Sequence, residues 1–119
     1  MSQNFQPGDY LVFQLESGFG LLRLLAIEEI GEEKIWHLAA FEDLFLDVDM
    51  ADAALENPQN LKVSIPHAAL TNRAFEATQT ARMKNEPLTD TELSHLENWK
   101  KDPNREIFDR SVRLLLGLR

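Results

Sequence analysis

The chain opens with a turn signal, Pro7-Gly8-Asp9, set directly before an apolar segment. Residues 10–15 (YLVFQL) are aromatic and β-branched enough to predict a strand. Glu16-Ser17-Gly18 reads as a hairpin turn that uses a left-handed residue. Residues 20–30 (GLLRLLAIEEI) predict the second strand, with Leu22, Leu24 and Ala26 on one face and Leu21, Arg23, Leu25 and Ile27 on the other. Gly31-Glu32-Glu33 marks the next turn, and residues 34–41 (KIWHLAAF) predict a third strand. Three strands joined by short turns form a meander. A meander that is apolar on both faces must hide both, which points to a curled antiparallel sheet or a small SH3-like barrel covered by helices.

Beyond residue 41 the periodicity changes. Asp49 is placed as the N-cap of a short helix that Asn57-Pro58 stops. Residues 61–65 (LKVSI) alternate as a fourth strand, ended by Pro66. Residues 67–86 show only weak periodicity and suggest one or two short helices with a loop. Thr89-Asp90-Thr91-Glu92 is a capping box, with Leu88 and Leu93 placed as its hydrophobic staple. Leu93, Leu96 and Trp99 follow at helical spacing. Asp102-Pro103 ends that helix and opens a last one, for which Ile107, Phe108, Val112, Leu115 and Leu116 supply the apolar face and Gly117 the C-cap. The expected class is therefore α+β: a β part over residues 9–65 followed by C-terminal helices, in a single domain spanning 1–119.

Charge sharpens this picture. The 119 residues carry a formal net charge of -8. Residues 1–60 hold 12 acids against Arg23 and Lys34, a net of -10; residues 61–119 hold 8 acids against 10 bases, a net of +2. The absence of cysteine excludes disulfides, a thiolate nucleophile and Cys-ligated metals. No apolar run approaches the ~20 residues that span a bilayer, and the N-terminus lacks a signal-peptide pattern, so a cytoplasmic protein with no membrane contact is expected. Negative charge opposes direct nucleic-acid binding, which relies on Lys and Arg displacing counterions.

Catalytic motifs are missing. An EF-hand loop starting at Asp47 fails, because its fifth, sixth and twelfth positions hold Ala51, Asp52 and Pro58. His37, His67 and His95 form no HxH, HxxxH or HExxH spacing, and there is no GxSxG or SxxK. No metal and no cofactor are expected. What remains is an acidic run, Glu42, Asp43, Asp47 and Asp49, beside the aromatic Phe19, Trp36 and Phe45. Aromatic anchors flanked by steering acids suit the capture of another protein with a basic surface. Two other readings stand beside this one. His37 with Glu42, Asp43 or Asp47 could serve a small metal-dependent hydrolase. Lys100, Lys101, Arg105, Arg110, Arg113 and Arg119 could mark a nucleic-acid- or polymerase-associated regulator. His95 reads as plain surface.

Residues 7–27 (PGDYLVFQLESGFGLLRLLAI) place Gly8, Asp9, Gly18, Gly20 and Arg23 in a pattern of GD, short strand, Gly-rich turn and GxxR-type strand. This resembles the opening of small β-barrel bacterial immunity proteins of polymorphic toxin systems. It is also similar to SH3-like barrels in general, including the polymerase-binding domain of CarD-type regulators. The resemblance covers about a sixth of the chain. It implies a binding module, immunity-like or adaptor, and assigns no catalytic residue.

Overall fold

The computed structural model describes residues 4–117. It is a small α+β fold built on one five-stranded antiparallel sheet of order β4-β3-β2-β1-β5. The strands are β1 Asp9–Leu15, β2 Gly18–Ile30, β3 Glu33–Phe45, β4 Val63–Thr71 and β5 Thr80–Asn85. The helices are α1 Val48–Ala54, α2 Asn72–Glu76, α3 Asp90–Lys101 and α4 Val112–Leu115, with a short 3-10 turn at Pro58–Asn60. The sheet is open: among the described residues no ladder joins β4 to β5, and closure into a barrel is not shown.

The meander matches the apolar pattern, and its turns follow from local chemistry. Leu15 pairs with Gly18 and Ile30 with Glu33, so each hairpin loop holds two residues. Gly31 sits at a left-handed φ of 63°. The first loop contains no positive φ, so the left-handed residue expected near Gly18 is absent and Gly18 is already strand. Gly20 is needed for space instead. A Cβ there would lie 2.6 Å from the Phe13 ring, which is itself only 1% exposed and cannot withdraw. Gly20→Ala should cost about 1–3 kcal/mol through overpacking, read as a lower urea midpoint at unchanged slope.

The two faces bury separate clusters. Leu11, Phe13, Leu22, Leu24, Trp36, Leu38 and Leu70 form one with Ala74 and Phe75 of α2 and Val112 of α4. Tyr10, Val12, Leu21 and Phe41 form the other with Ala51 and Leu55 at α1. Strand β2 pairs Leu24 with Leu38 and then Ala26 with His37, so Leu25 is an extra residue, a β-bulge. Everything after it changes face: Ile27 joins the Leu22 and Leu24 cluster rather than lying opposite, as strict alternation predicts. The same step carries Glu28 onto the face that holds His37.

Four segments depart from the sequence expectation. β4 runs through Pro66 to Thr71, because β4 is an edge strand where a residue without N–H is tolerated. The register against β3 slips there, with Ala68 opposite Leu38 but Ile65 opposite Ala40. Residues 80–85 form a strand paired with β1, so the β part extends to residue 85 rather than 65. Residues 102–111 are not helical. The Phe108 N–H donates to the Ala69 carbonyl (2.7 Å) and its carbonyl accepts from Thr71 N–H (3.0 Å), which docks this segment beside β4. Helix α1 begins two residues earlier than expected, with Asp47 rather than Asp49 as N-cap; its carboxylate accepts from the Met50 amide at 2.8 Å.

The capping box of α3 forms as its residues dictate. Thr89 Oγ1 accepts from Glu92 N–H (3.1 Å) and Glu92 Oε1 accepts from Thr89 N–H (2.9 Å). The same Glu92 carboxylate binds Arg23 of β2, fixing the helix to the sheet.

Candidate functional site

The structure separates the sequence-predicted residues into core and surface. Trp36 is core: it is 6% exposed, stacks on Phe75 with ring centres 4.0 Å apart, and donates from Nε1 to Asn72 Oδ1 at 2.9 Å. Phe19 and Phe45 are half-buried, paired opposite each other across β2 and β3 and packed at the margin of the Tyr10 cluster. Glu42 is exposed, and its amide donates to the Lys62 carbonyl. Asp43 Oδ1 accepts from the Lys62 amide at 2.7 Å, Asp47 caps α1, and Asp49 lies exposed in its first turn. Among the described residues no group of three or more His, Asp or Glu is placed to hold a metal ion.

Exposed aliphatic rather than aromatic side chains surround these acids. Leu44, Leu46, Val48 and Met50 are 51%, 77%, 39% and 48% exposed. They alternate with Phe45, Asp47 and Asp49 along residues 44–50, where β3 runs out and α1 begins. Large aliphatic side chains so exposed, and alternating with carboxylates in one short stretch of chain, make residues 44–50 an acid-edged apolar ridge in sequence. No Lys or Arg occurs between Lys34 and Lys62, so the ridge's own stretch of chain carries only negative charge. The signal in the sequence is a run of apolar residues at i, i+2, i+4 that continues past Phe41, the last β3 residue paired with β4.

The second arrangement is a buried histidine link. Glu28 Oε1 lies 2.5 Å from His37 Nε2, and His37 Nδ1 lies 2.9 Å from His67 Nε2. A carboxylate can only accept, so His37 donates from Nε2, accepts at Nδ1, and receives the Nε2–H of His67. His37 is fully buried. Burial lowers its pKa, the Lys100 charge adds to that, and the hydrogen bond and charge of Glu28 oppose it without prevailing. His67 is lowered to about 4 by burial and by the neighbouring His37 and His95. Both rings are therefore neutral at pH 7. Trp99 of α3 closes over them, 4.8 Å from His37 edge-on and 5.6 Å from His67. Glu42, Asp43 and Asp47 do not approach His37; the carboxylate that does is Glu28, carried there by the Leu25 bulge. His95 is half-buried against this group rather than plain surface.

The residues that carry the resemblance at the chain's start hold structure together. Gly8 has φ 96° and its carbonyl accepts from Arg23 Nη1. Asp9, fully buried, accepts from the Gln6 amide and from Asn85 Nδ2. Among the basic candidates, Arg105 lies over the Trp99 ring and Lys100 pairs with Glu97, while Arg119 falls outside the described residues. No helix among the described residues is long and apolar enough to cross a membrane. Comparison with protein-family models, with curated proteins and with solved structures finds no match to this chain.

Proposed function

We propose that this is a protein-binding module, whose ridge over residues 44–50 receives an apolar surface of a partner protein rimmed by Lys and Arg. One observation carries the reading: four exposed aliphatic side chains interleaved with carboxylates, on a stretch of chain with no base. Apolar contact would supply affinity at the centre, and the acids would speed encounter and exclude acidic partners. Phe19 and Phe45 form the floor behind the ridge. This keeps the acidic residues Glu42, Asp43, Asp47 and Asp49 in a binding role and moves the anchoring role from Trp36 to Leu46 and Met50.

Affinity capture by the intact protein tests it. The wild type should retain one stoichiometric partner, more of it at low salt than at physiological salt. The double variant L46E/M50E should lose that partner while unfolding at an unchanged urea midpoint. Capture that survives in the variant, or no stoichiometric partner at either salt, overturns the proposal. The alternative of a histidine-dependent hydrolase gains a carboxylate contact from Glu28. It is weakened because both ring nitrogens of His37 are already engaged, leaving neither facing a substrate.

A further inference from the structure

Two of the chain's three histidines, His37 and His67, 30 residues apart in sequence, meet under α3, and the third, His95, lies on that helix near enough for its charge to act on His67. Each element packed there contributes a titratable or charged group. β2 gives Glu28, β3 His37, β4 His67, and α3 His95 and Lys100, while Arg105 lies 5.3 Å from the centre of the Trp99 ring. One carboxylate, Glu28, contacts this group, and it contacts His37. Among the described residues no carboxylate pairs with His67, whose hydrogen-bond partner is His37.

The two ends of α3 are held by different chemistry. Its N-terminal turn is pinned by Glu92 to Arg23, an ion pair with hydrogen bonds of 2.9 and 3.2 Å. Its C-terminal half rests on Trp99 against the two imidazoles. The following segment is tied to that contact, because Trp99 Nε1 donates to the Glu106 carbonyl at 2.9 Å, two residues before Phe108 joins β4; Thr71 Oγ1 and the Arg73 guanidinium hold it further along, at Asp109. We propose that α3 is an acid-released latch: protonation of His67 frees Trp99 and residues 102–111 from the sheet, while Arg23–Glu92 holds the other end as a hinge.

The linkage has a definite sign. In the closed form His67 takes its proton only near pH 4, and in water near 6.5. Opening is therefore coupled to proton uptake below pH 6.5, and the opening equilibrium rises by about tenfold per pH unit until about pH 4, where the closed form is protonated too. His37, lowered in the same direction, adds to the effect. Burial would raise the Glu92 carboxyl, but its hydrogen bonds with Arg23 and Thr89 and the Arg23 charge hold it below its ordinary 4.5. The hinge therefore stays largely ionised down to pH 5, the range over which the latch is read. Release bares the Ala69 and Thr71 groups of β4 that Phe108 covers, a local opening rather than unfolding.

Amide exchange on the intact protein decides it. Protection factors at Thr71 and Phe108 should fall about fifteenfold between pH 6.5 and pH 5, while Leu22 in the centre of the sheet keeps its protection. His67→Gln should remove most of that fall. An equal fall at Leu22, or an unchanged fall in His67→Gln, overturns the latch. So does a wild-type His67 ring that titrates near 6.5 by NMR, a measurement that does not depend on any variant folding.

Discussion

Arg23→Met should destabilise the protein by about 3–5 kcal/mol, the loss expected when a buried ion pair is broken from one side. Arg23 is 2% exposed, yet every part of its guanidinium is engaged. Nε and Nη2 hold the two oxygens of Glu92, Nη2 also reaches the Pro87 carbonyl at 3.0 Å, and Nη1 meets the Gly8 carbonyl. Its plane lies 4.2 Å from the centre of the Tyr10 ring. Methionine fills the stem's volume and satisfies none of these acceptors. Glu92, 25% exposed, can recover water on one side, which places the loss toward the lower end of that range. Urea denaturation measures it, and Arg23→Met with Glu92→Gln should cost clearly less than the two single changes added, because both remove one interaction. Additive losses would mean that Arg23 acts through Gly8 and Pro87 alone. In the wild type, Glu92's depressed pKa makes its contribution full above about 4.5 and lost as pH falls further; in Arg23→Met that part of the acid dependence should vanish.

The same residue gives the GD and GxxR pattern at the chain's opening a structural role. Gly8, Asp9 and Arg23 form one connected knot: Arg23 to the Gly8 carbonyl, and Asp9 to the preceding turn and to β5. A buried Arg that must reach a strand-start carbonyl constrains the sequence locally, whatever the surface is used for. A pattern of this kind bears on the scaffold, and the ridge at residues 44–50 lies outside it.

The legible parts of the fold are those governed by contacts close in sequence. The hairpins of β1, β2 and β3, the Thr89–Glu92 box and the Asn57-Pro58 stop each follow from neighbours a few residues apart. The misread parts were decided by distant partners. Ala81, Arg82, Met83 and Lys84 are good helix formers, but the outer edge of β1 takes residues 80–85 as a strand, pairing Leu11 with Arg82 and Val12 with Ala81. Residues 103–111 have helical spacing, and the edge of β4 claims Phe108. The histidine link was hidden by a single inserted residue. By strict alternation Glu28 falls on the face opposite His37; the bulge at Leu25 reverses it, and no local signal marks that bulge. For the ridge, the acids were legible as a charge run. The exposure of Leu44 and Leu46 was not, since it depends on where β4 stops pairing with β3.

Trp36→Ala is the second large loss, about 3–5 kcal/mol, and it separates scaffold from surface. Its ring is sandwiched among Phe75, stacked 10° from parallel, Phe5, edge-on at 6.1 Å, and the Lys34 ammonium 5.4 Å above it. Truncation opens a cavity that α2 cannot fill, since Ala74 and Phe75 are fixed by the Thr71 N-cap. Asn72 Oδ1 loses its donor as well, at little further cost because Asn72 is half-exposed. Trp36→Phe keeps most of the contact and should lose well under half as much. Both variants, assayed at a temperature where they remain folded, should capture the partner as well as the wild type does, unlike L46E/M50E. If Trp36→Ala stays stable yet loses the partner, Trp36 is a contact residue after all, and the ridge is only the margin of a larger interface.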